Sequence, residues 1–259
     1  MVNNKRYIES VIDDLKKGRM IILTDDQDRE NEADLVIAAE HTTPDAINFM
    51  ARCGRGLICL AMAPTLTDQL QLPLMTTNNS AHLKTNFTVS IDAKEGIHTG
   101  ISAFDRAKTI RDTIKDNASF CDFVIPGHIF PLKAHPSGVL KRRGQTEGSV
   151  DLMNLAQLKP AAVICEMMHE DGHMLQGDDI KRFAGQHQLK ILSIQDLVQY
   201  RLNHDTTIIT KITETQIPTK WKRFRLIAYQ TQHDQLTHLA YFMVMLPKDL
   251  HWLEYTASV

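Results

Sequence analysis

Asp25-Asp26-Gln27-Asp28-Arg29-Glu30-Asn31-Glu32-Ala33-Asp34 runs directly into Leu35-Val36-Ile37-Ala38-Ala39. The first ten of these residues carry six acids and one arginine, yet apolar runs flank them: Met20-Ile21-Ile22-Leu23 before, Leu35 to Ala39 after. Charge runs of this density usually lie on a solvated helix face or in a tail. Short continuous apolar runs on either side are instead the pattern of buried strands. Acids brought to one edge of a sheet repel each other unless a cation or a polyhydroxyl ligand shares them. The stretch therefore reads either as an acidic surface loop or as a loop that binds a divalent metal and a sugar.

Outward from this loop, strands and helices interleave. Ile8, Val11, Ile12 and Leu15 recur at helical spacing, and Gly18 is placed to end that helix. Strands are expected at 20–24 and 35–39. Thr43-Pro44 is a cap-then-proline start for a helix that carries Ile47, Met50 and Ala51. Gly54-Arg55-Gly56 reads as a turn into the strand Leu57 to Met62, since a lone GxG is a weak phosphate signal.

Residues 64–86 are turn-rich. Phe87 to Asp92 alternates as a strand, and a helix is expected from about Ala103 to Lys115. Residues 121–140 read as short apolar pieces broken by Pro126-Gly127-His128, Pro131 and Pro136-Ser137-Gly138. A helix near 147–158 follows Arg142-Arg143-Gly144-Gln145-Thr146, and its start is an anion site by its outward N–H groups and the two arginines. Then come a strand at 161–165 ending at Glu166, a helix near 178–188, a strand at 189–194 and a helix from Ile194 to about Leu202. Frequent β-β neighbours imply a mixed sheet with helices on both faces. His204 to Thr206 reads as a boundary, beyond which 207–212 and 223–246 are strand-like.

The 259 residues can bury one large core, or one domain plus a fragment. A net charge of -2 argues against a nucleic-acid partner, whose footprint would be basic. Cys53, Cys59, Cys121 and Cys165 form no CxxC pair, so a cytoplasmic, reducing setting is expected. The start of the chain reads as an amphipathic helix, and no apolar run approaches membrane-spanning length, so no membrane association is expected. His169-Glu170-Asp171-Gly172-His173 matches the HExxH zinc-protease pattern, but Asp-Gly at its centre argues for a turn where that chemistry needs a helix.

Residues 5–202 resemble the 3,4-dihydroxy-2-butanone 4-phosphate synthase family. The likeness is carried by Asp28-Arg29-Glu30-Asn31-Glu32, Gly56-Leu57-Ile58-Cys59, Phe87 to Asp92, Thr99-Gly100-Ile101-Ser102, Gly127 to Leu132, Arg142 to Glu147, Asp151-Leu152-Met153 and Cys165-Glu166, in that order. The resemblance implies an α+β three-layer sandwich with a mixed twisted sheet and helices on both faces. It also implies a homodimer with sites near the interface, and conversion of ribulose 5-phosphate to 3,4-dihydroxy-2-butanone 4-phosphate and formate with Mg²⁺ or Mn²⁺. Enolisation, dehydration, a skeletal shift and hydrolysis each move protons, so such a site needs a hard cation, several acid–base groups and a cationic phosphate grip.

By this resemblance Glu30 and residue 145 hold metal, and Arg29 lies beside the substrate. Asp34 holds a sugar hydroxyl and relays its proton, Cys59 is a candidate proton shuttle, and His128 and Glu166 are catalytic. Arg142, Arg143, Gly144, Gln145 and Thr146 surround the phosphate end. The chain departs from the family pattern at Gln27 (glutamate), Ala33 (glycine), His98 and His173 (threonine), and most of all at Gln145, where the family has a metal-binding histidine. A glutamine carbonyl can still ligate Mg²⁺, but it brings no titratable imidazole. These departures set a lyase against a catalytically impaired paralogue that binds a sugar phosphate or acts as a regulatory partner.

Residues 1–203 are thus expected to form the synthase domain. Residues 204–259 are expected to be a degenerate fragment resembling the start of GTP cyclohydrolase II, through Glu214 to Thr219 and Phe224 to Tyr229. No cysteine follows Cys165, so zinc-dependent cyclohydrolase activity is not expected there.

Overall fold

The structure, a computed structural model, describes residues 2–26, 28–205, 209–220, 223–231, 237–243 and 256–257. Gln27, and the parts of the expected tail strands at 207–208, 232–236 and 244–246, lie outside the described residues. The chain divides into two units, 1–200 and 201–259.

The first unit is built on a seven-stranded sheet. Its strands are β1 (Ile21–Thr24), β2 (Ala33–Ala38), β3 (Cys59–Met62), β4 (Ile91–Ala93), β5 (Phe123–Lys133), β6 (Ala161–Glu166) and β7 (Ile191–Ser193), in the order β4-β5-β3-β6-β2-β1-β7. β1–β7 and β3–β5 are parallel and the other pairs antiparallel, so the sheet is mixed. Around it lie α1 (Val2–Lys16), α2 (Pro44–Phe49), α3 (Pro64–Gln69), α4 (Ala103–Thr113), α5 (Gln145–Leu155), α6 (Asp178–His187) and α7 (Ile194–His204).

Period-2 alternation sorts the strand residues into two cores. Leu35, Leu60, Val163 and Cys165 face Ile47 of α2, Ile110 of α4 and Ile180 of α6. Val36, Cys59, Ile164 and Leu23 face Val11 and Leu15 of α1, Met153 of α5 and Leu197 of α7. The result is an α+β three-layer sandwich with helices on both faces. Burial of each large apolar side chain contributes roughly 1.5–3 kcal/mol. α5 is buried on all sides for most of its length. At Gly148 a Cβ would come 2.4 Å from Ile194 and 2.9 Å from Leu23, so glycine lets this helix lie directly against the sheet.

Several elements differ from the sequence expectation. The broken pieces at 121–140 form one long strand, β5: Val124 pairs opposite Asp92 and Ile129 opposite Ile91, so 125–128 bulge out and absorb Pro126-Gly127. The expected strand at 87–92 shrinks to Ile91–Ala93, with Phe87 and Thr88 making single bridges. α3 arises inside the turn-rich segment, where Pro64 occupies the first helical position. α5 begins at Gln145, two residues early, which puts Gln145 and Thr146 in its first turn. His169–His173 is a turn: the His169 N–H donates to the His173 carbonyl at 2.8 Å, and Gly172 has φ +90°.

The second unit contains β8 (Ile209–Pro218), β9 (Arg223–Thr231), β10 (Thr237–Met243) and β11 (Thr256–Ala257), an antiparallel sheet in the order β11-β10-β9-β8. β8 runs six residues past the expected end at 212, through Glu214-Thr215-Gln216. Among all the described residues, no helix is long and apolar enough to cross a membrane.

Candidate active site

The acidic loop folds around one carboxylate. Asp25, whose side chain is fully buried, accepts from the backbone N–H of Glu30 (3.1 Å) and of Glu32 (2.9 Å) and from Nη1 of Arg29 (2.8 Å). Asn31, at φ 55°, turns the chain back toward β2. Asp25 thereby does for the loop what a bound ion does elsewhere: it collects N–H groups at one point.

β2 then carries Asp34 onto the α5 face of the sheet. Antiparallel pairing sets Asp34 opposite Glu166 and Val36 opposite Ile164, and Cys59 of β3 also pairs with Ile164. Two acids are thus register partners at one end of the sheet, with Cys59 close by on the same face. The N-terminus of α5 closes the space in front of them. Gly144 is the residue before the helix, and a Cβ there would fall 2.5 Å from Nη1 of Arg142, so a larger residue would push that guanidinium out of its place.

The resulting cavity of about 150 Å³ is lined by Arg29, Glu30, Asp34, Cys59, Arg142, Gln145, Thr146 and Glu166, all expected site residues. Three expected residues stand outside the lining. Arg143 is largely exposed and lies 4.0 Å from Asp26. Gly144 shapes the turn. His128 sits in the β5 bulge, where its N–H donates to Oδ1 of Asp92 (2.9 Å) and its Nδ1 lies 2.7 Å from Oδ2. Sequence reasoning missed Glu32, Thr85 and Phe87 as lining residues. The spacing of Glu32 from Glu30 and Asp34 was its available signal; Thr85 had none.

Four carboxylates and two guanidinium groups line this space, and the carboxylates feel one another. Burial first, then Glu166 and Glu32, push the Asp34 carboxyl well above its ordinary range. Burial also raises Glu166, with Glu30 adding to it against the backbone N–H groups of Glu166 and Leu57. Glu32 is pushed up to about 7 by burial and by Glu30, Glu166 and Asp25. Cys59 is pushed far up by burial, Glu166 and Asp34, so its thiol stays neutral. Oδ1 of Asp34, Oε2 of Glu166 and Nε2 of Gln145 are buried without a hydrogen-bond partner among the described residues. Buried polar atoms left this way normally await a ligand, an ion or water.

Nη1 of Arg29 bridges two of the expected metal ligands, donating to Oε1 of Gln145 at 3.0 Å and pairing with Glu30. Among the described residues no three or more His, Cys, Asp or Glu side chains form a ready metal cage. Mg²⁺ does not need one: it keeps several waters and is held by one or two carboxylates plus substrate oxygens. A carboxylate and an amide oxygen that already converge on one cationic nitrogen, with orphaned oxygens nearby, fit such an ion.

The family model for 3,4-dihydroxy-2-butanone 4-phosphate synthase matches residues 9–200. Among curated relatives, a riboflavin biosynthesis protein RibBA of Aquifex aeolicus is 53% identical over 225 residues, covering 86% of this chain and 55% of that one. A 3,4-dihydroxy-2-butanone 4-phosphate synthase of Pseudomonas aeruginosa is 45% identical over 233 residues, covering 90% and 64%. The chain therefore spans under two thirds of these relatives' lengths. Among solved structures, the two-domain synthase RibBX of A. baumannii superposes with a TM-score of 0.81 at 45% identity, over 90% of this chain and 69% of that one. A 3,4-dihydroxy-2-butanone 4-phosphate synthase in complex with two magnesium ions gives 0.74 at 40% identity, over 76% and 97%. The chain belongs to the 3,4-dihydroxy-2-butanone 4-phosphate synthase family.

Proposed function

We propose that this protein is a lyase of riboflavin biosynthesis, converting ribulose 5-phosphate to 3,4-dihydroxy-2-butanone 4-phosphate and formate. The observation that carries the reading is the Asp34–Glu166 register pair facing the start of α5 across one cavity with Arg142 and Thr146. Proton donors thus stand at one end and an anion grip at the other.

The phosphate sits against Arg142, Thr146 and the first turn of α5, where backbone N–H groups and the guanidinium attract it together. Asp34 and Glu166 bind sugar hydroxyls and, with their carboxyls raised above the ordinary range by burial and by neighbouring carboxylates, give and take back protons in the enolisation and dehydration steps. Glu32, near its titration point at neutral pH, accepts the protons they pass on. Cys59 acts as a neutral thiol, shaping the cavity and donating a proton rather than attacking. Glu30 and Gln145 would hold Mg²⁺ or Mn²⁺, which when bound would supply Lewis-acid stabilisation of the negative charge that develops on the sugar oxygens. Arg29 supplies the neighbouring positive charge.

The active form is a homodimer in which His128 serves the site of the second copy. Three features support this: His128 lies outside its own chain's cavity, Asp92 holds its ring from one side, and exposed apolar side chains surround its position, Val124 and Ile125 close by in sequence and Ile101 next to Gly100, where a Cβ would lie 2.6 Å from the His128 Nδ1. The free thiols of all four cysteines fit a cytoplasmic setting. Residues 1–203 constitute the synthase domain, and 204–259 a segment that resembles part of GTP cyclohydrolase II. Formate release from ribulose 5-phosphate with Mg²⁺, together with rescue of a riboflavin-requiring strain, tests the reading. Folded protein that binds the sugar phosphate and fails both is the impaired paralogue instead.

A further inference from the structure

Arg142 is not a free side chain reaching into the cavity. Its Nη1 donates to Oε2 of Glu147 at 2.6 Å, and its Nη2 donates to Oγ1 of Thr85 at 2.6 Å and, at longer range, to the Leu83 carbonyl at 3.4 Å. Glu147 is only 2% exposed, and its other oxygen accepts from the His135 N–H at 3.0 Å. This acid is therefore fixed from behind.

Thr85 is fixed as well. It belongs to the segment 74–86, whose ends are joined by the Met75 N–H donating to the Phe87 carbonyl (2.8 Å) and by the bridge between Leu74 and Thr88. Inside the segment, Nδ2 of Asn79 donates to the Thr85 carbonyl at 2.9 Å. Next to it, the Lys133 N–H of β5 donates to the Asn86 carbonyl at 2.9 Å. A second cavity, of about 520 Å³, lies under this segment, and Glu30, Thr85 and Phe87 line both cavities. Thr85 thus stands in the wall between them with its hydroxyl on the guanidinium.

We infer that Thr85 is a positioning residue for the phosphate end of the substrate: with Glu147 it holds the Arg142 guanidinium in one orientation and couples the segment 74–86 to anion binding. The inference rests on the reading of Arg142 as the phosphate grip. A guanidinium carries five N–H donors in a rigid fork, so fixing some of them on Glu147 and Thr85 aims the rest. An arginine ordered beforehand loses less rotamer freedom on binding an anion, and more of the interaction appears as affinity. Thr85 is 57 residues from Arg142 in sequence, so only the folded chain brings the two together.

Thr85→Val removes the hydroxyl and keeps the branched shape. It is expected to weaken binding of inorganic phosphate, measured by calorimetry, by about ten-fold, the effect of losing one hydrogen bond to a charged group. KM for ribulose 5-phosphate should rise by a similar factor while kcat stays within about two-fold. Thr85→Ser, which keeps the hydroxyl, should restore both. In an Arg142→Lys background Thr85→Val should change phosphate affinity no further, because the fork it aims is gone. Unchanged phosphate affinity in Thr85→Val overturns the inference. So does an undiminished loss in the lysine background, since Thr85 would then touch the phosphate itself, and so does a native protein with no affinity for phosphate. Should phosphate binding and its dependence on Thr85 hold while no formate is released, the positioning role stands and the proposed reaction falls.

Discussion

Nη1 of Arg29 lies 3.0 Å from Oε1 of Gln145, and the same nitrogen pairs with Glu30. One cationic atom therefore touches both expected metal ligands, residues 115 positions apart by the separation of Glu30 from Gln145, and a metal bound there shares these oxygens with the guanidinium or displaces it. The acidic loop and the start of α5 are thus joined electrostatically before any ion arrives. The same Nη1 also donates to Oδ2 of Asp25 at 2.8 Å, so the guanidinium can give up Glu30 and Gln145 without losing its charge partner.

Removing the anionic member of that pair separates catalysis from folding. Glu30→Gln is expected to lower formate release by on the order of 100-fold or more, since a Lewis-acidic ion contributes several kcal/mol to charge stabilisation. The thermal midpoint should hold, because Glu30 is partly exposed and one negative charge leaves a crowded acidic site. Wild-type turnover in this variant would remove Glu30 from the metal site.

The raised carboxyls give the metal-free protein a distinctive pH dependence. Glu32, with a folded value of about 7, keeps a proton that the unfolded chain has released above its ordinary value of 4.5. Between those limits the native state binds more protons than the unfolded one, so stability falls as pH rises, and the full cost is present above about 7. Asp34 and Glu166 act in the same direction. The melting midpoint should drop between about pH 5 and pH 7.5, by roughly 2–4 °C for each kcal/mol of like-charge cost. Mg²⁺ should recover more of it at the higher pH, and Glu32→Gln should flatten the profile. A midpoint that rises with pH would contradict this.

Thiol chemistry distinguishes the cysteines. Cys121 is exposed, whereas Cys59 and Cys165 are buried with their thiols pushed up, Cys165 to about 12, by burial and by Glu166 and Asp34. Iodoacetamide at about pH 8 should label Cys121 and leave Cys59 and Cys165 unmodified until the protein is denatured, as mass spectrometry of the digested protein would read. Rapid labelling of native Cys59 would mean a thiolate in the cavity and a nucleophilic role.

Gly56 tests how tightly Glu166 is held. A Cβ at this position would lie 2.5 Å from the Glu166 carbonyl oxygen, 2.7 Å from its nitrogen and 2.6 Å from Oε2. Gly56→Ala should cost about 1–3 kcal/mol through the forced backbone shift, visible as a lower melting midpoint. It should also lower kcat by displacing Glu166 from Asp34. A variant as stable and active as the parent would show that this strand end yields freely.

Much of this architecture was legible from local pattern. Continuous apolar runs at 35–39 and 161–165 mark the central strands of the sheet, and Thr43-Pro44 marks its helix, with the Thr43 side chain accepting from the Ala46 N–H at 3.2 Å. What was not legible depends on partners far away in sequence. Pro126-Gly127 looks like a break until Ile91 and Asp92 stand opposite Ile129 and Val124 and let the extra residues bulge. Composition shows six acids in the loop but not that Asp25 turns inward as its organiser, which needs the left-handed turn at Asn31. Thr85 lies in a turn-rich segment with no periodicity, and its role is set by Arg142 alone.

The last prediction concerns Gln145, at the first turn of α5. Its amide oxygen accepts from Arg29 while its Nε2 is buried without a partner among the described residues, so the side chain is only half satisfied. An amide oxygen is a weaker ligand than the histidine nitrogen of the family pattern, and a carboxylate–amide–water set suits Mg²⁺ or Mn²⁺ and binds loosely. Gln145→His replaces it with an imidazole that cannot present an oxygen to Arg29 but can donate a nitrogen lone pair to a metal at the same place. The half-saturating Mg²⁺ concentration should fall by about ten-fold, on the scale of the affinity changes seen when metal-site partners are altered. Turnover at limiting metal should rise, and the preference should move toward Mn²⁺, which accepts nitrogen donors more readily than Mg²⁺ does. A metal titration of both forms decides it: a histidine variant that needs as much metal as the parent and is no faster places residue 145 outside the metal shell, and leaves its oxygen with the single task of holding Arg29.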